Sequence, residues 1–302
     1  MLDNLMQAGC FVSIIILGYV LRRTGFLKED AFPLLSRIVL KITLPAAIIS
    51  NFSGKTLDIS LLSLALVGAG VNVIYLLVAY LFNRRKTKQV QAFDMLNLSG
   101  YNIGNFIMPF VQGFMGASGV ITASLFDIGS SMFSLGGSFS MASLVKDNQR
   151  FSLKRIAKTL FAAVAFDAYI IMTILALLNI RLPAVVVTLS DIIGRSNVFL
   201  SMLMLGVGLR IPNDRSQMGK IVKILLLRYG FAIIFALMAY FLLPFPLQAR
   251  QTILLLLFAP IAAAAPAFTN ELGCDVGLAS AVNSASVICS IIFMIILGTV
   301  VL

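Results

Sequence analysis

The sequence contains no histidine, and only 12% of its 302 residues are charged. Without histidine, the chain cannot build a zinc site of the HExxH type or a histidine-based catalytic triad. Ordinary soluble domains carry about 25% charged residues, so the shortage of charge argues against that class. The three cysteines lie in apolar segments with no paired or metal-like spacing, which is typical of small packing residues. No metal site is expected.

Apolar runs take up most of the chain, and 60% of the residues are hydrophobic. A helix needs about 20 such residues to cross a bilayer. The first run follows an acidic start with no small-residue cleavage site, so we expect a first membrane helix and not a removed signal. The chain is predicted to be an all-α polytopic membrane protein with ten spans, at 4–21, 31–51, 59–82, 89–113, 117–145, 155–178, 183–209, 219–243, 248–272 and 275–301.

The basic residues support this division, because cytoplasmic loops are rich in Lys and Arg. Every second loop is basic, and these loops together hold 16 cations, within 22–28, 84–88, 146–158 and 210–223. The other loops hold only Lys55, Arg181 and Arg250, and four cations lie inside spans: Arg37, Lys41, Arg195 and Arg228. We therefore predict a plasma-membrane protein with both termini extracytoplasmic. Its basic loops are expected to face anionic lipid headgroups, not nucleic acid.

Two spans contain helix-breaking residues at corresponding positions. Pro109 lies in LSGYNIGNFIMPFVQGFMG (98–116), and Pro260 and Pro266 lie in LLLFAPIAAAAPAFTNELG (255–273). A shift of 157 residues (266 minus 109) superposes the two segments. Proline removes a backbone donor and clashes with the preceding turn, and irregular backbone at membrane depth is tolerated only in protein or at a cavity. Paired breaks of this kind are typical of a transporter's binding site.

The ten spans divide into two halves of five, residues 1–148 and 149–302. An odd number of spans per half makes the two halves inverted relative to each other. A second shift, of 154 residues, places Leu35 on Leu189 and Lys41 on Arg195. We therefore predict an inverted repeat in which spans four and nine are the broken helices.

Asn102 and Asn105 are the first candidates for substrate contact, because their side chains offer neutral donors and acceptors at the break. The alternative is that they only satisfy backbone groups freed near Pro109. Thr269 and Asn270 lie a turn beyond Pro266, and the alternative there is a helix end near the cytoplasmic surface. The predicted substrate-binding residues are Asn102, Gly104, Asn105, Pro109, Pro266, Thr269 and Asn270.

Charges inside spans are costly, so each is a functional candidate. Asp127 lies about 15 Å into span five at 1.5 Å per residue, where it could take up a coupling proton or ligate a cation. The alternative is a structural carboxylate. Lys41 and Arg195 occupy equivalent places in the two halves and are candidates for attracting an anion. Asp191 lies four residues from Arg195, so an ion pair explains it.

An enzyme is not expected, because no pair of membrane carboxylates has a catalytic spacing. The Gly-rich stretch 134–138 has no strand before it, so it indicates close helix packing and not a nucleotide loop. No loop is long enough to house a nucleotide-binding domain, which argues against a nucleotide-driven pump.

Several short motifs occur in an order that resembles the auxin efflux carrier family. They are TLPA at 43–46, the Asn- and Gly-rich break before Pro109, LGVGL at 205–209, and the Pro-broken span nine before a polar span ten. The resemblance covers nearly the whole chain. The loop at 146–155 is short, unlike the long cytoplasmic loop of plant members, so we expect a bacterial-type member.

This resemblance implies the fold of bile acid:sodium symporters, with spans four and nine crossing at the midplane. Spans three to five and eight to ten would form a mobile transport domain. Spans one, two, six and seven would form a scaffold that is often dimeric, so a homodimer is the expected assembly.

We therefore expect a secondary transporter that moves small organic anions, such as mono- or dicarboxylates, by elevator-type alternating access. Half-helices that begin after the two breaks would point positive N-termini at the crossing, which favours carboxylates. No cofactor is expected beyond a coupling proton or sodium ion. The alternatives are a sodium-coupled organic anion symporter and, from another class, a non-transporting membrane receptor or assembly partner.

Overall fold

The computed structural model describes residues 2–28, 30–147, 152–209 and 217–300, and within these ranges the chain is helical with no β-strand. The α-helices are α1 (Leu2–Arg23), α2 (Ala31–Ile38), α3 (Leu44–Phe52), α4 (Ser63–Phe82), α5 (Lys88–Leu98), α6 (Met108–Met132), α7 (Ser138–Asp147), α8 (Leu153–Leu160), α9 (Val164–Leu177), α10 (Ala184–Gly208), α11 (Met218–Leu242), α12 (Leu247–Leu257), α13 (Ala265–Glu271) and α14 (Val276–Val300). Three π-helical turns, Val39–Thr43, Ile103–Ile107 and Phe133–Gly137, connect successive helices, and a 3-10 turn covers Ile59–Leu62.

Seven helical segments are long and apolar enough to cross a membrane, and the α8–α9 pair, bent by 84°, makes an eighth if it is counted as one span. The prediction of an all-α, multi-pass membrane protein is confirmed. The count of ten stays a prediction, because α5, α12 and α13 are each too short to cross alone. One apolar segment, Ile103–Asp147, has 45 residues, about 68 Å of helix, which is enough for two crossings.

Glycine pairs let neighbouring helices approach closely. On α1 and α10, Gly18 faces the carbonyl of Leu203, and Gly206 faces the carbonyl of Ile15. On α4 and α6, Gly68 and Gly129 make the same kind of reciprocal contact. An added Cβ would collide with backbone at all four positions, so these pairs hold the helix contacts by close packing, as small residues do in membranes.

Many contacts fall within two groups of helices. α1 and α3 pack on α10, and α9 packs on α3, whereas α4, α5, α7, α11 and α12 pack around α6 or beside one another. The groups meet where α6 packs on α3, α9 and α10 and where α1 packs on α14. Large apolar side chains such as Leu66 on α4 and Leu237 on α11 stay exposed. An outer surface of this kind suits lipid rather than water.

Both helix breaks begin earlier than the prolines. α5 ends at Leu98, and Pro109 lies in the first turn of α6. In the same way α12 ends at Leu257, and Pro266 lies in the first turn of α13. The amide of a first-turn residue has no partner within the helix, so Pro266 costs nothing there. Pro109 follows the π-helical turn Ile103–Ile107, which runs directly into α6. The expected break near Pro109 is therefore displaced to 99–102.

Glycines with positive φ turn the chain after each break. Gly116 has a φ of 58° and divides α6 into two helices across a kink. Gly273, between α13 and α14, has a φ of 60°. L side chains rarely adopt this conformation. The two glycines are the pair that the 157-residue shift superposes.

Candidate functional site

The two breaks meet in the interior of the molecule. Tyr101 and Ile261 form an isolated antiparallel bridge, and the amide of Asn102 donates to the carbonyl of Pro260 at 3.0 Å. Tyr101 and Ile261 are both buried. The segments 99–102 and 258–264 therefore pair with each other at the point where both helices are interrupted; we call this pairing the crossing.

Side chains of neighbouring helices satisfy the backbone of the first break. The amide of Gly100 donates to Oδ1 of Asn72 on α4 at 2.8 Å, and the amide of Tyr101 donates to Oγ of Ser134 at 3.0 Å. The Ser134 hydroxyl also donates to the carbonyl of Tyr101 at 3.2 Å. These bonds satisfy the amides of Gly100 and Tyr101 and the carbonyl of Tyr101 where the chain leaves the helix, at a depth where lipid could not.

α14 does the same for the second break. The amide of Ile261 donates to Oγ of Ser286 at 3.1 Å, and the hydroxyl of Ser290 donates to the carbonyl of Phe258 at 2.7 Å. Nδ2 of Asn283 donates to the carbonyls of Ile261 and Ala262 at 3.2 and 3.1 Å. The polar residues of α14, visible in the sequence, thus stabilise the break between α12 and α13.

Arg228 on α11 binds both breaks at once. Its guanidinium donates to four carbonyl oxygens: Leu98 at 2.5 Å, Gly100 at 3.0 Å, Ala259 at 2.9 Å and Pro260 at 3.1 Å. Only 1% of the residue is exposed. The sequence shows Arg228 as a cation inside a span but assigns it no role. A charged residue inside a span is a functional candidate. This rule marks Asp127 in the sequence, and it could have identified Arg228 in the same way.

A cavity of about 750 Å³ lies beside the crossing, within the range of about 300–1,000 Å³ that is usual for ligand pockets. Its walls combine apolar residues from α2, α10 and α14 with a small polar set. None of the described lining residues is acidic. The polar lining residues are Arg22, Asn102, Asn105, Ser280, Asn283 and Ser284.

The side-chain amides of Asn102 and Asn105 make no hydrogen bond to any described residue. Oδ1 of Asn105 is buried without a partner, although buried polar groups are nearly always bonded. Many backbone groups of the breaks already have other partners. These two asparagines therefore remain available to a ligand, and the alternative, that they serve the freed backbone, has no contact in its favour.

Arg22 is the cation among the described residues that line the cavity. Its guanidinium donates to the carbonyls of Val207 and Leu209, both at 2.8 Å, at the C-terminal end of α10. The sequence places Arg22 in a basic loop, and nothing in its spacing distinguishes it from its neighbours. Only the packing of α1 along α10 brings it to the cavity.

A family model described as membrane transport protein matches residues 10–297. The chain belongs to this family. It is the auxin efflux carrier family that the motifs resemble, and the match covers nearly the whole chain. A comparison with curated proteins gave no match. The protein is thus a multi-pass membrane transporter of the auxin efflux carrier type, and its family is one of transporters, not of enzymes.

Three of the seven predicted substrate-binding residues of this transporter line the cavity: Asn102, Asn105 and Pro266. The other four lie elsewhere. Gly104 faces Leu40 and Leu44.

Pro109, one of those four, is buried inside the first turn of α6. Thr269 is also buried, and its hydroxyl donates to the carbonyl of Ala265 at 2.8 Å and accepts from Asn97. Asn270 is exposed near the end of α13.

The predicted charge residues of the transporter also lie away from the cavity lining. Asp127 is buried in α6, beside Ser131 and Tyr169. Lys41 is exposed on the π-helical turn Val39–Thr43. Arg195 has a side chain that is 79% exposed, and its expected ion pair with Asp191 is present at 2.6 Å.

Proposed function

We propose that the protein is a secondary transporter of small organic anions, mono- or dicarboxylates, and that the cavity beside the crossing is its substrate site. The observation that carries this proposal is that the side-chain amides of Asn102 and Asn105, which bond no described residue, line that cavity. Each amide offers two N–H donors, which suit a carboxylate. Asn283 and two serines line the same space.

The charge of the lining supports an anion. Arg22 contributes a guanidinium, and no described lining residue contributes a carboxylate. A guanidinium is well suited to carboxylates because its donors match their geometry. α13 is only seven residues long, so the partial positive charge at its N-terminus is weak support for an anionic substrate. Arg22 and the asparagine amides are the stronger support. A membrane potential negative inside drives a monovalent anion outward by about 2.3 kcal/mol per 100 mV, so efflux needs no coupling ion.

We propose that the structure is open toward the cytoplasm. Arg22 and Leu209, at the ends of α1 and α10, border the cavity. Arg22 belongs to one loop of the basic set, 22–28, and Leu209 adjoins another, 210–223. These loops are expected on the cytoplasmic side. The loop 210–216 itself lies outside the described residues. Both termini are then extracytoplasmic, in a plasma membrane.

The proposed mechanism is an elevator movement within an inverted repeat of ten spans, 1–148 and 149–302. Two observations support the repeat: the breaks pair with each other, and Gly116 and Gly273 have matching positive φ. Two groups of helices support the movement. Spans one, two, six and seven would form a scaffold, here α1–α3 and α8–α10, through which we expect a homodimer. Spans three to five and eight to ten would move.

Flux into proteoliposomes tests this function. The purified protein, reconstituted and supplied with a panel of labelled mono- and dicarboxylates, should carry at least one of them electrogenically. Asn105→Leu should lower that flux at least about tenfold, because it removes the donors at the crossing. Asn51→Leu is the matched control, since the side chain of Asn51, among described residues, bonds only Ala47 of its own helix.

Two results would contradict the proposal. Transport of a cation or an uncharged solute, with carboxylates neither carried nor competing, would show that the proposed negative charge of the substrate is wrong. Carboxylate binding without flux would favour a non-transporting receptor.

A further inference from the structure

Carbonyl oxygens from both breaks converge on the guanidinium of Arg228. Two belong to the first half of the chain, at Leu98 and Gly100, and two to the second half, at Ala259 and Pro260, all within 3.1 Å of a guanidinium nitrogen. Convergent backbone carbonyls are a common way for proteins to hold a metal cation. We propose that Arg228 is a built-in cation that holds the crossing together, so that the crossing binds no sodium ion.

Arg228 is buried, and carbonyl dipoles offset the cost of burying its positive charge. A buried charge is costly unless it is paired or well hydrogen-bonded. No carboxylate of the described residues forms an ion pair with Arg228. Nη1 donates to one carbonyl, the two N–H groups of Nη2 are shared among the other three, and Nε has no partner. The rings of Tyr75 and Tyr101 lie 5.6 and 4.9 Å from its central carbon, and such faces attract cations.

Helix ends add to this compensation. α5 ends at Leu98, whose carbonyl accepts from Arg228, and α12 ends at Leu257, shortly before the other two acceptors. The C-terminal end of a helix carries roughly half a negative charge. Two such ends at one place repel each other, and a cation between them removes that repulsion. The planar, forked guanidinium reaches both breaks, which the single ammonium of lysine cannot do in the same way.

A tethered cation has a consequence for coupling. A sodium ion can enter and leave its site during a transport cycle, whereas Arg228 cannot leave α11. The carbonyls at the crossing are then permanently occupied, so they are not available for sodium coupling. This step rests on the proposed function, but the occupancy of the crossing by Arg228 does not.

Thermal unfolding of the purified protein in detergent tests the occupancy without any substrate. The Tm of the wild type should be the same in sodium, potassium and choline chloride. Arg228→Ala should lower the Tm by at least about 5 °C. Low-millimolar guanidinium chloride, far below denaturing concentrations, should restore part of that loss in Arg228→Ala and should not raise the Tm of the wild type.

Two further variants keep the test specific. Arg155→Ala removes an exposed arginine that pairs with Glu271 at 2.7 Å, and its Tm should not respond to guanidinium. Arg228→Lys keeps the charge and should fold, with a Tm between those of the wild type and Arg228→Ala. An unchanged Tm in Arg228→Ala, an equal guanidinium response in Arg155→Ala, or a selective stabilisation of the wild type by sodium would each overturn the proposal.

Flux measurements separate this inference from the proposed function. Carboxylate flux in the wild type should be equal with and without a sodium gradient. If flux requires sodium, the inference is wrong while the anion transporter stands. If no carboxylate is carried but guanidinium rescues Arg228→Ala, the proposed substrate is wrong while the built-in cation stands.

Discussion

Tyr101 and Ile261 face each other in an antiparallel bridge, although they belong to breaks in opposite halves of the sequence. Gly100, directly before Tyr101, makes this approach possible. Its φ is 81°, and an added Cβ would lie 3.0 Å from the Cβ of Ala262 and 3.5 Å from Oγ of Ser134. The crossing therefore depends on a residue without a side chain at this position.

Gly100→Ala should be more harmful than Gly116→Ala. Both glycines have positive φ, so each alanine costs about 1–2 kcal/mol of backbone strain. Only Gly100 has neighbours within 4 Å of the added Cβ; at Gly116 there are none. Gly100→Ala should give the lower Tm and the lower flux. Equal losses in the two variants would show that the crossing tolerates an extra methyl group.

Arg22→Gln should weaken the binding of anionic substrate. The variant removes the cation of the cavity, and a loss of about 1 kcal/mol corresponds to a roughly fivefold higher KM. The effect should shrink at high ionic strength. Arg23→Gln is the matched control, because Arg23 is exposed and bonds Tyr19. The KM of flux at two salt concentrations checks the prediction, and an equal rise in Arg23→Gln would contradict it.

Asn197→Leu should disrupt a polar contact between the two helix groups. Nδ2 of Asn197 donates to Oε1 of Gln112 at 3.0 Å, and Thr43 donates to Oδ1 of Asn197 at 3.0 Å. Asn197 is fully buried, so orphaning its partners should cost about 1–3 kcal/mol. Ser196→Ala is the control, because Ser196 bonds only its own helix, at Ile193.

A double-mutant cycle checks the Asn197 prediction. Stability losses from Asn197→Leu and Gln112→Leu should not add, because each single change already breaks the shared bond. Strictly additive losses would mean that the bond contributes nothing to the stability of the transporter.

Lys86 and Lys55 should lie on opposite sides of the membrane. Single cysteines at these two exposed positions, in a background without Cys10, Cys274 and Cys289, should react with an impermeant reagent from opposite faces. The expectation follows from the loop cations, of which 16 lie in the loops of one side and three in the loops of the other. Labelling of both positions from one face would rule out the ten-span topology.

Asp127→Asn should alter the pH dependence of flux. Asp127 is the buried carboxyl of α6 and forms no ion pair with a described cation, so it is our candidate for a coupling proton. The amide keeps the size of the side chain but cannot exchange a proton. Asp167→Asn on α9 is the control and should leave the profile unchanged. An unaltered profile in Asp127→Asn would remove Asp127 from any coupling mechanism.

Much of the fold follows from the sequence, because bilayer thickness and local chain chemistry act on short segments. Span lengths are set by the hydrocarbon core, so the predicted spans 59–82 and 219–243 agree with the observed helical segments Ile59–Phe82 and Met218–Leu242. Pro109 and Pro266 pointed to both broken segments for a similarly local reason, since proline lacks a backbone donor, although the helices end before these prolines, at Leu98 and Leu257. The order of short motifs also identified the family that the model over residues 10–297 shows.

Tertiary structure decided where the breaks begin and which polar residues meet. α5 ends at Leu98 because Asn72 and Ser134, from other helices, satisfy the backbone there, and no local rule contains that information. Thr269 has a polar side chain that would suit a binding site, but the packing of its helix turns that side chain toward Asn97. Arg22 and Arg228 look like ordinary cations in the sequence. They acquire their places only when α1 packs on α10 and α11 packs beside the breaks, because long-range packing determines which face of a helix meets a cavity.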